Sequence, residues 1–251
     1  MDARQRPGCY PVPHAKLLVI FIHGFLGGPA QFEHLVRAVN DQGYAAQTLL
    51  LPGHGSHVFH FARHRGHEWQ AAVDEALRLG LAQYEKVVLM GHSMGGLLSV
   101  NASRRVGPAH GLVLWETPLR LRMRLRGTGN DLAVALLPRR LHNPIARAYH
   151  EANNVRVLTP LGYLFTLPRM AELPRMMAAA ERALAGVKEP VLLIQSGADE
   201  IVHPSSIERL EKGLKNAQVT RVALHASWHA YIPEDELALL QDRLINWLKT
   251  V

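Results

Sequence analysis

The chain has 251 residues, enough to bury a sizeable core in one large domain or two small ones, which excludes a mini-protein held together by staples. Hydrophobic residues make up 48% and charged residues 20%, a globular rather than a disordered composition. The single cysteine, Cys9, cannot close an internal disulfide, which suits a reducing compartment. The 28 Lys and Arg exceed the 21 Asp and Glu by seven, and the whole excess lies between 118 and 186, where eleven arginines and no lysine stand against four acids. The positive charge is therefore a local surface rather than a property of the entire chain.

No apolar run approaches the roughly 20 residues of a membrane helix. The first run, 17–22, is also too short for a signal-peptide core and lacks a cleavage site, so a cytoplasmic protein is expected. That run reads as a buried strand. Apolar residues three and four apart predict a helix over 32–40, after which 45–51 reads as a second strand and 69–81 as a second helix. A strand at 87–90, a helix at 95–105 and a strand at 112–115 follow. The segment 118–186 is rich in Arg, Met and Pro and reads as an irregular, mostly helical insert. Its octet Leu119-Arg120-Leu121-Arg122-Met123-Arg124-Leu125-Arg126 alternates strictly, as a strand with one basic face would. Beyond it come strands at 191–195 and 219–224 and helices at 206–214 and 235–248. Such alternation predicts a mostly parallel sheet covered on both faces, which binds ligands at the carboxyl ends of its strands.

Gly91-His92-Ser93-Met94-Gly95-Gly96 lies between a strand and a helix, the setting a G-x-S-x-G nucleophile elbow requires. The turn there is too tight for bulk beside the serine, and the helix amino terminus behind it offers N–H groups to an oxyanion. A serine hydroxyl needs a base, and the base needs an orienting acid. Asp199, just past the strand 191–195, and His229, past the strand 219–224, fall on the same rim as Ser93. Glu116, at the end of the strand 112–115, and Glu200 are alternative orienting acids. His23-Gly24-Phe25-Leu26-Gly27-Gly28 follows the first strand, and the Phe25 and Met94 N–H groups are the candidate oxyanion hole. His23 is expected to brace that loop.

These motifs together resemble the α/β-hydrolase superfamily, and within it the small bacterial carboxylesterases and monoacylglycerol lipases. Leu51-Pro52-Gly53-His54-Gly55 is similar to a loop of that group, as is the acid followed by an apolar pair in Asp199-Glu200-Ile201-Val202. The resemblance implies a hydrolase core of 1–117 and 187–251 with a lid at 118–186. It makes Ser93 the nucleophile, Asp199 the orienting acid and His229 the base, with no cofactor and no metal. The chain departs from the pattern twice. Only some 15 residues precede the first buried strand, so the two leading antiparallel strands are expected to be missing or rudimentary. The small residue usual before the histidine is the bulky Trp228, which is expected to shape the acyl or alcohol pocket.

The implied activity is hydrolysis of short- to medium-chain acyl esters, monoacylglycerols among them, through an acyl-enzyme. A thioesterase, lactonase or carbon–carbon bond hydrolase acting on an anionic substrate would use the same residues, and a non-catalytic ligand receptor could share the fold. No nucleic-acid-binding motif is present, and 6% aromatic residues offer few stacking platforms, so nucleic acid is not an expected partner. The basic segment suits at most weak contact with a charged interface, without stable membrane anchoring. His54, His57, His60, His64 and His67 could hold zinc or nickel if helical, but Pro52, Gly53 and Gly55 favour a loop and solvated histidines. Met170, Met176 and Met177 read as packing within the insert.

Overall fold

The structure is a computed structural model that describes residues 5–122, 143–157 and 159–251. Its strands are β1 (Gly8–Tyr10), β2 (Leu17–Ile22), β3 (Ala45–Thr48), β4 (Lys86–His92), β5 (Gly111–Trp115), β6 (Val191–Ser196) and β7 (Val219–Leu224). They form one sheet in the order β1-β3-β2-β4-β5-β6-β7. Every neighbouring pair is parallel except β1 with β3. Among the described residues, the leading antiparallel strands of the full fold are thus reduced to one strand of three residues.

Successive side chains of a strand face opposite sides, and both sides of this sheet are covered. Leu18, Ile20 and Ile22 of β2 join Leu89, Leu112 and Leu193 in one apolar layer, beneath the helices Gly66–Gln83 and Met94–Arg105. Leu17, Val19 and Phe21 join Val88, Val113 and Leu192 in the other, beneath Glu33–Asp41 and Glu234–Leu248. A strand buried on both faces reads as a continuous apolar run, and each such side chain contributes about 1.5–3 kcal/mol on burial.

The expected β3 ends early, at Thr48, because the Leu51 N–H leaves the sheet for His23 Nε2 at 3.0 Å. The helix expected over 69–81 begins earlier, at Gly66, where the Glu68 carboxylate accepts the Arg65 N–H at 3.0 Å and caps the first turn. Between β5 and β6 the described residues hold helices at Pro144–Ala152 and Leu173–Ala183, with shorter turns at Pro160–Thr166 and Leu167–Met170. The expected basic strand over 119–126 does not form in its described part, 119–122. Leu121 makes a single bridge to Val202 and is 38% exposed. The Leu119 and Arg120 N–H groups both go to Ser206 Oγ, at 3.2 and 3.0 Å, rather than to a neighbouring strand. Residues 123–126 lie outside the described residues.

Because β3 lies on one side of β2 and β4 on the other, the connections leave the sheet in opposite directions at β2 and β4. A crevice opens there at the carboxyl ends of the strands.

Candidate active site

Ser93 stands at that crevice, between β4 and the helix Met94–Arg105, with φ 54° and ψ −121°. A non-glycine residue pays about 1–3 kcal/mol for such a backbone, and the surroundings enforce it. The Ser93 N–H is held by the Trp115 carbonyl at 2.8 Å, and the Ser93 carbonyl accepts from Gly96 at 3.0 Å. A Cβ at Gly91 would strike the Gly95 backbone, and one at Gly95 would strike the Ile22 carbonyl. The tight strand-to-helix turn read from the sequence is therefore required by packing on both sides of the serine.

Asp199 and His229 come together. The His229 Nδ1–H donates to Asp199 Oδ2 at 2.8 Å, while Asp199 Oδ1 accepts the N–H groups of Ile201 and Val202 at 2.7 and 2.8 Å. Burial alone would push the Asp199 carboxyl up, but the charge and hydrogen bond of His229 overcome it and hold the group well below the usual carboxylate range. With Nδ1 donating, the ring's lone pair is on Nε2. The alternative acids are also nearby. Glu116 is in contact with Asp199, and Glu200 accepts the His229 N–H at 3.4 Å. Burial pushes both carboxyls up.

Two residues that position His229 were not anticipated from the sequence. The Glu236 carboxylate, in the first turn of Glu234–Leu248, accepts the N–H groups of His225, Ala226 and Ser227 at 2.5, 2.9 and 2.8 Å, and the Ser227 hydroxyl as well. It collars the loop that carries His229. Burial works against its charge, but those bonds prevail and lower its pKa. The available signal was the run of three acids, Glu234, Asp235 and Glu236, which reads as a helix start. The second residue is His92. Its Nε2–H donates to the His229 carbonyl at 3.0 Å, and its ring packs at a tilt against those of His229 and Trp115, with centroids 4.8 and 4.5 Å away. Burial, helped by the neighbouring His229, brings its pKa down to about 3, so the ring is neutral.

The loop bearing Phe25 lies against the serine, since a Cβ on Gly24 would come within 3.0 Å of Ser93 Cβ. Phe25 packs edge-on against Phe61 and Trp69 at 5.3 and 6.2 Å. Met94 opens its helix, where the first N–H groups have no intrahelical acceptor. His23 braces the loop as expected. Its Nδ1–H donates to the Gly24 carbonyl at 2.9 Å and its Nε2 accepts from Leu51. Burial lowers its pKa to about 4.

A cleft of about 850 Å³ opens beside His229. His92, Trp115 and Tyr231 line it from the core, and Ala148, Asn154 and Tyr163 from the insertion. Trp228 is not among its lining residues, so the sequence-based expectation for that side chain is not met at this cleft. Met176 and Met177 pack against the core, whereas Met170 is 42% exposed. The histidine stretch is split between a turn at 52–57, the short helix Val58–Phe61, the connection at 62–65 that carries His64, and the helix from Gly66. His54 is buried against His23, and His64 bonds Glu68 at 2.6 Å. Among the described residues, the one group of three metal-type ligands is Glu116, Asp199 and His229, which does not include that stretch.

Residues 13–236 match the model of a protein family described as serine aminopeptidase, S33. The chain belongs to that family. It is a serine hydrolase of the α/β-hydrolase class. It is 25% identical over 235 residues to the thermostable monoacylglycerol lipase of Bacillus sp. (strain H-257), an alignment covering 91% of this chain and 89% of the relative. Among solved structures it is similar to one of the metagenome-derived lipolytic enzymes LipS and LipT, with a TM-score of 0.75, 22% identity and 99% of each chain covered. It is also similar to the monoacylglycerol lipase of Paleococcus ferrophilus, with a TM-score of 0.68, 19% identity and 97% of each chain covered. No helix among the described residues is long and apolar enough to cross a membrane.

Proposed function

We propose that the chain hydrolyses carboxylic esters with short to medium acyl chains, monoacylglycerols among them, through an acyl-enzyme on Ser93. The observation that carries this reading is the 2.8 Å bond from His229 Nδ1 to Asp199, on the rim where the strained Ser93 turn stands. Ser93 Oγ attacks the ester carbonyl while His229 Nε2 takes its proton. Asp199 fixes the tautomer that makes Nε2 the base and stabilises the imidazolium that forms. The oxyanion is held by the N–H groups of Phe25 and Met94. His229 then protonates the leaving alcohol, and the C–O bond breaks to leave the acyl group on Ser93. A water then attacks the acyl carbonyl as it gives its proton to the same nitrogen, and the bond from the acyl carbon to Ser93 Oγ breaks as that proton passes to Oγ, releasing the acid and restoring the serine.

Residues 118–186 act as the lid of this site, with the cleft beside His229 between lid and core. The names of the relatives support an ester as substrate, since the Bacillus protein is a monoacylglycerol lipase. A series of nitrophenyl esters from two to sixteen acyl carbons, assayed with wild type and Ser93→Ala across pH 6–9, tests the reading. Activity lost in the variant, rising with pH through a histidine titration and peaking at short to medium chains, is the expected result. Equal hydrolysis by both proteins, or by neither, would overturn it.

A further inference from the structure

Behind His229 stand two carboxyl groups in contact. One oxygen of Glu116, one of Asp199 and a ring nitrogen of His229 all lie within 4.8 Å of one another. Glu116 is 2% exposed and Asp199 1%, so water screens neither. Glu116 directly follows β5 and has φ 48°, a left-handed backbone that costs a glutamate about 1–3 kcal/mol and so needs local support. Part of that support is the Ser196 N–H, which donates to Glu116 Oε1. The other oxygen, Oε2, is buried and receives no N–H or hydroxyl from a described residue. A carboxylate leaves such an oxygen unsatisfied at high cost, whereas a carboxylic acid can use its own proton.

Two carboxylates touching in a dry site cannot both be charged. The proton's place follows from the donors. Asp199 accepts three N–H bonds, from Ile201, Val202 and His229, whereas Glu116 accepts from Ser196 alone. Hydrogen bonds to a carboxylate favour its charged form, so Asp199 is the anion and Glu116 holds the proton. The other ionisable groups around the pair are the buried Glu200 in the loop after β6, the neutral His92 of β4, and Arg122 in the segment after β5, which donates to the Asp199 carbonyl. The pair titrates as a unit, and burial followed by the Asp199 charge drives the Glu116 carboxyl up.

We infer that Glu116 is a neutral carboxylic acid that donates a hydrogen bond to Asp199, a positioning residue holding the acid–histidine pair in register. The inference rests on the proposed roles of Asp199 and His229. It assigns to Glu116 a part different from that of an alternative orienting acid, because Glu116 acts through Asp199 rather than on the imidazole.

Glu116→Gln and Glu116→Leu separate the possibilities. Glutamine is neutral and keeps a donor. In E116Q the acid limb of kcat/KM for ester hydrolysis, which reports His229, should stay where it is in wild type. In E116L Asp199 loses a donor and attracts the His229 proton more strongly. That limb should move to higher pH, and kcat should fall about tenfold with KM little changed. A shift of the limb to lower pH in E116Q would overturn the inference, because it would mean that a negative charge facing His229 had been removed.

An infrared measurement at neutral pH needs no activity and does not depend on E116L folding. Wild type and Glu200→Gln should both show the carbonyl stretch of a protonated carboxylic acid, and E116Q should lack it. Absence of the band from wild type, or its persistence in E116Q with loss in E200Q, would overturn the assignment. If Ser93→Ala hydrolyses esters like wild type while the band behaves as expected, the catalytic reading fails and the proton on Glu116 stands.

Discussion

The rim at the carboxyl ends of the strands and the insertion between β5 and β6 meet at one cleft, which His92, Trp115 and His229 line from the rim, but they are held in opposite ways. On the rim, Ser93, Glu116, Asp199, Glu200 and His229 are all buried and tied by hydrogen bonds that fix individual atoms. The insertion is fastened at separate points, with Leu173 and Ala180 buried against the core. The Asn154 N–H donates to the Leu26 carbonyl at 2.8 Å, Gly55 donates to the Asn154 carbonyl at 2.9 Å, and residues 56 and 58 exchange bonds with Arg156. Further out, Leu161, Leu164, Phe165 and Leu167 are 72%, 57%, 47% and 52% exposed. Chemistry needs atoms held to fractions of an ångström, so it sits where burial and the sheet fix them.

If this contrast holds, the largest effects of substitution lie on the rim. Ser93→Ala should lower kcat by about a million-fold, leaving only binding and oxyanion stabilisation. Asp199→Asn should cost about ten-thousand-fold, since the amide favours the wrong imidazole tautomer. Steady-state kinetics on one nitrophenyl ester checks both. A loss of only a few-fold in either variant would remove the distinction between rim and insertion.

Acid should weaken the fold through the core side of the site. Burial lowers His23 to about 4 and His92 to about 3, and holds His54 well below its ordinary value. These groups are depressed in the folded chain, so the unfolded chain takes up their protons first, near pH 6.5, and stability falls as pH drops from there. His23 alone should account for a loss on the order of 3 kcal/mol by pH 4. Glu116 and Glu200, raised in the folded chain, work in the opposite direction. Thermal unfolding should therefore show Tm falling below pH 6.5, and falling more steeply in Glu116→Gln, which lacks one opposing group.

Glu236→Ala strands three backbone N–H groups and a hydroxyl that the carboxylate now satisfies. The expected loss is about 2–4 kcal/mol, or about 5–10 °C in Tm, together with a lower kcat as the His229 loop loosens. Calorimetry and the ester assay read the two effects together. The smallest effects belong to the insertion. Leu161→Ser and Leu164→Ser should each change stability by no more than about 0.5 kcal/mol, with turnover of a short-chain ester unchanged. A fall of many degrees in Tm would show that this surface is packed as tightly as the rim.

Those elements whose burial is periodic could be read from the sequence. β2 and β7 have the bounds expected of them: β2 is covered on both faces and is an uninterrupted apolar run, whereas β7 is an edge strand in which the buried Val222 and Leu224 alternate with exposed neighbours. Ser93 was legible because its motif joins a strand to a helix. Asp199 and His229 were placed by the loops after two strands, and the structure brings their side chains together. Tertiary contacts were hidden. Glu236 looked like an ordinary acid at a helix start, and the contact between Glu116 and Asp199 joins the ends of two neighbouring strands that sequence spacing does not relate. The alternating octet misled because period-two patterning needs a partner strand. At 119–120 the backbone found Ser206 Oγ instead.

The most direct test of the account is covalent trapping of the nucleophile. Wild-type protein treated with a fluorophosphonate, which reacts with an activated serine hydroxyl, should take up one label per chain. Peptide mass mapping should place that label on Ser93, and Ser93→Ala should take up none. Label on another residue, or an unlabelled protein that still hydrolyses esters, would contradict the account.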